Sequence, residues 1–417
     1  MTLAAKLAMM FVVLIDIIGQ GLVFPILNTL MMDPATAFLP EGTSNAVRHF
    51  NYGVVMAAFF IAWFFGSPYM SQLSDLIGRK SAILVCLCGA LFGYALTIAA
   101  LYLESVPLLV LGRAITGLTA GNQPIAQAAL IDGSVDEADR GRNMGYVITA
   151  TSGGLLLGPL IGGVFSDPRI LGSFASLQLP FFVALGLVGA CIVCVTVFFK
   201  DLREERQPVR IRPLEVFDTL LRIRNHPTVL RLAAVMLLFH ITNTLFYIFI
   251  GNYLQSEFGI RTFGTSLVML TIGVALALSS TFLVAPAQKR FNKKTILYAN
   301  FAVWFIATIL VSVLPTAPLN FIPVFAFYFI FGISYPTFLS LFSLSVSDEE
   351  QGWVMGMTLA VFTLCGGVVS LFGSWLIATN LELPFYVAAA ASALGAVAMA
   401  VLWRTAKIDA ISMPPKD

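Results

Sequence analysis

Long apolar stretches alternate with short polar ones along almost the whole chain. They run at about 7–32, 51–71, 82–102, 107–131, 143–166 and 178–199, and then at about 231–255, 264–286, 296–314, 320–345, 352–378 and 384–403. Each is near the ~20 residues a helix needs to cross hydrocarbon. A transmembrane barrel would instead show strands of about ten residues with a two-residue period. The pattern predicts twelve membrane-spanning helices in an all-α membrane protein. The longest charged stretch, Lys200–Pro227, separates six spans from six. The expected organisation is therefore a six-helix bundle over 1–199, a linker over 200–230, a second six-helix bundle over 231–404 and a tail over 405–417.

Composition sharpens this reading. Of 417 residues, 58% are hydrophobic and 11% charged, against roughly 25% charged in soluble domains. The 24 Lys and Arg residues are distributed unevenly. With the N-terminus in the cytoplasm, twenty fall in cytoplasmic segments. Only Arg48, Arg169 and Arg261 fall on the other side, and Arg113 lies within a span. The positive-inside rule then predicts both termini to be cytoplasmic. The net charge of +2 thus reports topology and gives no reason to expect a nucleic-acid partner. The first apolar run is too long for a signal peptide and has no obvious cleavage site, so it reads as a retained first helix. All five cysteines fall in spans. The Cys191/Cys194 pair has no His or acidic neighbour in sequence, so no metal site or cofactor is expected.

A repeat crosses the central divide. "SVDEADRGRNMG" (Ser134–Gly145) precedes the fifth span and "SVSDEEQGWVMG" (Ser345–Gly356) the eleventh. "IGRKSAIL" before the third span is echoed by "FNKKTIL" before the ninth. Such 6+6 repeats are common in transporters, with the substrate path at the midplane.

Charged residues inside the spans are the chemical anomaly. Asp16 lies about nine residues, or about 14 Å, into the first span. An ionised group at that depth costs at least ~2.5 kcal/mol unless it faces a partner or water. Arg113 enters the fourth span from the opposite side and lies about 9 Å deep. In a core about 30 Å thick, the axial offset is near 7 Å, within reach of an arginine. Asp16 and Arg113 are candidates either for a coupling or substrate-binding pair or for a buried ion pair that fixes helix register. His240 lies at nearly the equivalent depth in the seventh span. It is a candidate proton switch, or a histidine hydrogen-bonded to a neighbour. Gln20, Asn122, Gln123, Gln127, Asn243, Tyr328 and Tyr335 are candidate polar contacts in a cavity, or interhelical hydrogen bonds. Some of the 35 phenylalanines are expected to line an amphipathic pocket.

Four motifs resemble those of the major facilitator superfamily, in order and on the corresponding spans. "SQLSDLIGRKS" (Ser71–Ser81) resembles the loop signature between spans two and three through Asp75, Gly78, Arg79 and Lys80. Ser71 and Leu76 depart from its usual glycine and arginine. "LGRAITG" (Leu111–Gly117) resembles the span-four motif, and "IGQGLVFPIL" (Ile18–Leu27) the span-one motif, with Asn28 in place of a final proline. "GGLLLGPLIGG" resembles the span-five antiporter motif, with Gly154, Gly158 and Gly162 recurring every four residues beside Pro159 and Gly163. Such stripes let helix backbones approach closely. Within the superfamily, the resemblance is to the tetracycline and multidrug proton antiporters (the DHA1 group).

The resemblance implies two pseudo-symmetric six-helix bundles, with spans one and four lining the cavity. It also implies a cytoplasmic gate in which Asp75 faces the start of span eleven and Arg79 bridges to Asp132. The glycine motif would serve in the seal or pivot between the halves. The expected function is proton-coupled export of a small amphipathic compound by alternating access, by a chain in the inner membrane that functions as a monomer. A proton-coupled importer of a metabolite or siderophore is the nearest alternative, and a non-transporting receptor or scaffold is the alternative of another class. Enzymatic chemistry is not expected, because no nucleophile–base or metal constellation appears in the spans. No phosphate-binding GxxxxGK[ST] occurs, so an ion gradient is the expected energy source.

Overall fold

Helix starts follow local capping chemistry. α1 (Leu3–Met32) begins after Thr2, whose side chain accepts the Ala5 N–H. α2 (Asn45–Ile77) begins after Ser44, whose hydroxyl accepts the Val47 N–H. Each cap satisfies one of the orphan donors that every helix start exposes. α3 (Arg79–Tyr102) follows a single interrupting residue, Gly78. α4 (Val106–Leu118) is capped by Ser105 and carries proline in its first turn, where the missing N–H is harmless. α5 (Asn122–Asp132) comes next, and then α6 (Glu137–Ser166), capped by Asp136. The short α7 (Pro168–Leu171) leads to α8 (Leu179–Phe198).

The second part begins with α9 (Glu215–Leu221), followed by α10 (Pro227–Phe258), α11 (Thr262–Phe282) and the short α12 (Val284–Arg290). α13 (Lys293–Val313), α14 (Ala317–Ser345), α15 (Gln351–Thr379) and α16 (Leu383–Leu402) complete the long helices. α17 (Ala406–Ser412) lies beyond them. This computed structural model describes residues 1–201 and 215–414, without the side chain at 138, and no strand occurs among the described residues. Arg203, Arg206, Arg210, Arg212 and Lys416, counted in the charge pattern, lie outside the described residues.

Eleven of the described helices are long and apolar enough to cross a membrane. The difference from the expected twelve lies at 107–131. One continuous helix was expected there, and the chain instead forms α4 of 13 residues and α5 of 11. The interruption at 119–121 has a local cause. The Thr119 hydroxyl accompanies its own N–H onto the Ile115 carbonyl, and Ala120 N–H turns back to Gly117, tightening the last turn of α4. Pro124 has no N–H to give, and it falls within the first turn of α5, where none is needed.

The chain divides into two compact units, Met1–Pro213 with Arg261–Leu270, and Leu214–Ile260 with Thr271–Asp417. In the first, α1 packs on α6 and α8, α2 on α4, and α3 on α4 and α8. In the second, α10 packs on α15 and α16, and α13 on α14 and α16. The pairs α1–α6, α1–α8 and α3–α8 therefore recur as α10–α15, α10–α16 and α13–α16, as the sequence echoes anticipate. The start of α11 belongs to the first unit. Thr262 shares a 2.8 Å hydrogen bond with Thr29, and the Ser266 side chain lies against Gly163. Large apolar side chains left exposed, among them Phe92, Val197, Phe372, Trp375 and Val401, suit a lipid surround.

Two charged clusters fix helix ends. In the first unit, Lys6 of α1 pairs with Asp139 of α6 at 2.6 Å. In the second, Lys293 Nζ donates to the carbonyls of Ile411 and Met413, and Lys294 pairs with Asp409 at 2.6 Å. These bonds seat α17 across the start of α13, so the region expected as a tail holds a docked helix.

Candidate coupling and substrate site

Asp16 sits halfway along α1, half-buried, opposite the interruption between α4 and α5. The Asn122 side chain and the backbone N–H of Gln123, in the first turn of α5, stand in hydrogen-bonding range of its carboxylate. A helix start presents unpaired N–H groups and the positive end of its dipole, a favourable environment for a carboxylate. Breaking the fourth span thus creates, at mid-helix depth, the partner that Asp16 needs. Asn122 is buried, and its own Oδ1 has no partner, which fits its Nδ2 being turned to Asp16.

The pair expected from spacing is not formed. No ion pair joins Asp16 to Arg113. The Arg113 guanidinium lies over the Phe59 ring of α2, 4.3 Å from its centroid, and its Nε is buried without a partner. Asp16 instead faces the start of α5, and Arg113 faces α2. Tyr94 of α3 stands in electrostatic range of both groups, its hydroxyl packed against Gly19 of α1. Phe59 and Tyr94 were not anticipated. Nothing in their local sequence separates them from the other aromatic residues of the spans.

The remaining polar candidates of this unit divide. Gln123 is half-buried beside Asp16, and Gln20 lies one turn beyond it on α1. Gln127 is turned away, its Nε2 3.6 Å from the Met144 sulfur.

The glycine motif of α6 packs on α1, the helix that carries Asp16. A Cβ at Gly158 would lie 2.8 Å from the Ile18 carbonyl oxygen, and one at Gly162 would lie 2.8 Å from that of Leu22. Gly154 meets Ile17, and the Pro159 ring lies against Gly21. The stripe therefore brings two backbones together inside the first unit, a close approach that any side chain would prevent.

The loop signature between α2 and α3 is bonded throughout. Arg79 reaches Asp75 at 3.0 Å, Asp132 at 3.3 Å and the Ser74 hydroxyl at 2.7 Å. Gly78 holds φ +95° and ψ 157°, a conformation essentially reserved for glycine, and the Asp201 carboxylate occupies the space a side chain would need. Lys80 donates through Nζ to the Thr196 carbonyl at 2.7 Å and through its backbone N–H to Asp201 at 3.2 Å. The last turn of α8 and the residue Asp201 after it are thereby tied to the start of α3, a connection with no signal in the local sequence.

In the second unit, His240 of α10 is buried, with neither ring nitrogen partnered. It lies among Phe239, Tyr335 of α14 and Phe362 of α15, with ring centroids 5.6, 6.1 and 5.3 Å away. Asn243 Oδ1 and the Tyr328 hydroxyl are likewise buried without partners. Behind them, Phe246 stacks on Phe327 at 4.0 Å and Trp304 on the same ring at 4.4 Å. His240, Asn243, Tyr328 and Tyr335 are thus brought together.

Comparison with known proteins agrees with this architecture. The family model described as Major Facilitator Superfamily matches residues 9–370. The tetracycline resistance protein of class C from Escherichia coli is 27% identical over 369 residues, covering 86% of either chain. The quinolone resistance protein NorA of Staphylococcus aureus is 23% identical over 392 residues, covering 93% of either. Among solved structures, a D-xylose-proton symporter superposes with a TM-score of 0.75 at 14% identity, covering 96% of this chain and 97% of its own. The human organic anion transporter MFSD10 (TETRAN) gives 0.71 at 18% identity, covering 95% and 99%.

Proposed function

The chain belongs to the Major Facilitator Superfamily, and from that premise we propose that it is a proton-coupled exporter of small amphipathic compounds working by alternating access. It is a multi-pass membrane transporter, not an enzyme. The observation that carries the coupling proposal is Asp16 itself, a carboxylate at mid-helix depth docked on the first turn of α5. While charged, it is held by the Asn122 amide and the Gln123 N–H. Once protonated, it has less to gain from the helix start. A proton therefore exchanges the tie between α1 and α5 for a looser one. The glycine stripe of α6, packed backbone to backbone on α1, permits small shifts of α1 without side-chain obstruction.

On this reading, α4 and α5 together make the twelfth crossing, a discontinuous helix of the kind that places its half-helix ends at transporter binding sites. Both termini are cytoplasmic, and the chain resides in the inner membrane and works as a monomer, without a cofactor. Arg79, held by Asp75 and Asp132, closes the cytoplasmic end. Export rather than import is supported by the relatives, which confer resistance to tetracycline and quinolones. The solved neighbours share the fold and do not choose a direction.

The test is gradient-driven accumulation in proteoliposomes, with tetracycline and norfloxacin as probes. An antiporter accumulates them when the vesicle interior is acid, and Asp16→Asn abolishes this. Accumulation driven only by an acid exterior would identify a symporter and overturn the export reading.

A further inference from the structure

His240, Asn243 and Tyr247 of α10 stand at positions i, i+3 and i+7, on one helix face. Tyr328, Phe331 and Tyr335 of α14 stand at the same spacing. The two faces meet in opposite directions. His240 lies beside Tyr335, with centroids 6.1 Å apart, and Tyr247 lies beside Tyr328 at 6.2 Å. Phe331 fills the middle of its ladder, stacked on Tyr335 at 5.4 Å and 6.0 Å from Tyr328. The result is a ribbon of rings about 10 Å long at helical rise, within a single unit.

Three polar groups on this ribbon have no partner: both nitrogens of His240, Oδ1 of Asn243 and the hydroxyl of Tyr328. Leaving such groups unpaired in a buried site is costly, and together they offer both donors and acceptors. Tyr247, Phe331, Tyr335 and Phe362 are only half-buried, so ring surface remains accessible beside them. Within the long helices of this unit, no carboxylate lies near the ribbon to balance a cation. In α10, α11, α13, α14, α15 and α16 the only Asp or Glu is Glu257, in the last turn of α10.

We infer that this ribbon is a subsite for an uncharged, flat, fused-ring ligand that carries a hydrogen-bond donor and an acceptor. Its faces stack on Tyr335 and Phe331, and its polar edge satisfies His240 and Asn243. This rests on the transport reading and narrows its amphipathic substrate to a chemical class. Aromatic faces also attract cations, so the charge of the ligand is what the experiment must separate.

Purified full-length protein in detergent is titrated by fluorescence anisotropy with three tricyclic probes. Acridone is neutral and has an N–H and a carbonyl, N-methylacridone lacks the donor, and N-methylacridinium is a permanent cation. Acridone is expected to bind about tenfold more tightly than either of the others, the scale of one buried hydrogen bond. His240→Phe keeps a ring in the cage and is expected to weaken acridone about tenfold, while His240→Gln, which restores a donor and an acceptor, returns it to within about threefold. Asn243→Leu gives a second, independent loss. The inference is overturned if the cation binds as tightly as acridone, if acridone does not bind, or if His240→Phe and Asn243→Leu both bind it like the parent. Absence of this binding, with gradient-driven tetracycline accumulation intact, removes the subsite and leaves the transport reading standing. Acridone binding through His240 in a protein that shows no gradient-driven accumulation does the reverse.

Discussion

Asp16 on α1 faces the backbone N–H of Gln123, in the first turn of α5, and the Asn122 side chain, both in hydrogen-bonding range of its carboxylate. A carboxylate inside a membrane helix is thereby held by another helix's start rather than by an opposite charge. The cost of placing it there, at least ~2.5 kcal/mol for an unpartnered carboxylate, is offset by two donors and a favourable dipole.

The first prediction concerns this tie. Asn122→Leu removes one of the two donors and should lower stability by about 1–3 kcal/mol. Asp16→Asn retains an acceptor oxygen for Gln123 and should cost less. Because the two side chains interact directly, the double variant should lose less than the sum of the singles. Thermal unfolding in detergent measures all three, and strict additivity would show that the two side chains do not interact.

The α1–α6 contact gives a second prediction. Gly158→Val forces a side chain into the space between Ile18 and Gly21 and should destabilise by about 1–3 kcal/mol, as overpacking does. Gly145→Ala, on the same helix but with nothing within 4 Å of an added methyl, should be neutral or slightly stabilising. Equal melting temperatures for the two variants would refute close packing at the stripe.

At the loop signature, Gly78→Ala should cost about 1–3 kcal/mol through its backbone conformation alone, with the displacement of Asp201 in addition. Arg79→Ala breaks ion pairs that are partly exposed and worth ~0–1 kcal/mol each. The glycine change should therefore lower the melting temperature more than the arginine change, and the reverse order would place the importance of the motif in its charges.

Arg113 gives a fourth. Its planar guanidinium rests on Phe59, so Arg113→Lys keeps the charge while losing the stacked geometry. A loss of about 0.5–2 kcal/mol is expected from the cation–π contact. Phe59→Leu should produce most of the same loss, and little more in the Arg113→Lys background. An Arg113→Lys protein with parental stability would show that the ring contact is not energetic.

Much of the architecture was legible in the sequence because hydrophobic length carries it. The long helices, the repeated pairings of α1 and α10, and the Arg79–Asp132 bond all follow from spans and motifs. The break in the fourth span was missed because the run 107–131 is apolar enough to look continuous. Its signal lay in "GLTAGNQP", two glycines and a proline within eight residues. Without a second helix start near Asp16, residue spacing offers only Arg113 as its partner. Depth along an axis is readable from residue counts, but azimuth is not, which is also why Gln127 was expected in the site and is instead turned to Met144. The ladder of Tyr328, Phe331 and Tyr335 was hidden for another reason: a helix rich in phenylalanine has rings on every face, and only its partner α10 selects one.

In the proposed cycle, Asp16 carries the proton that substrate displaces. The most direct test is the pH change on adding tetracycline or norfloxacin to purified protein in weakly buffered detergent. Proton release on binding is expected of the parent protein, and none of Asp16→Asn. Proton uptake on binding, or equal release by the variant, would contradict it.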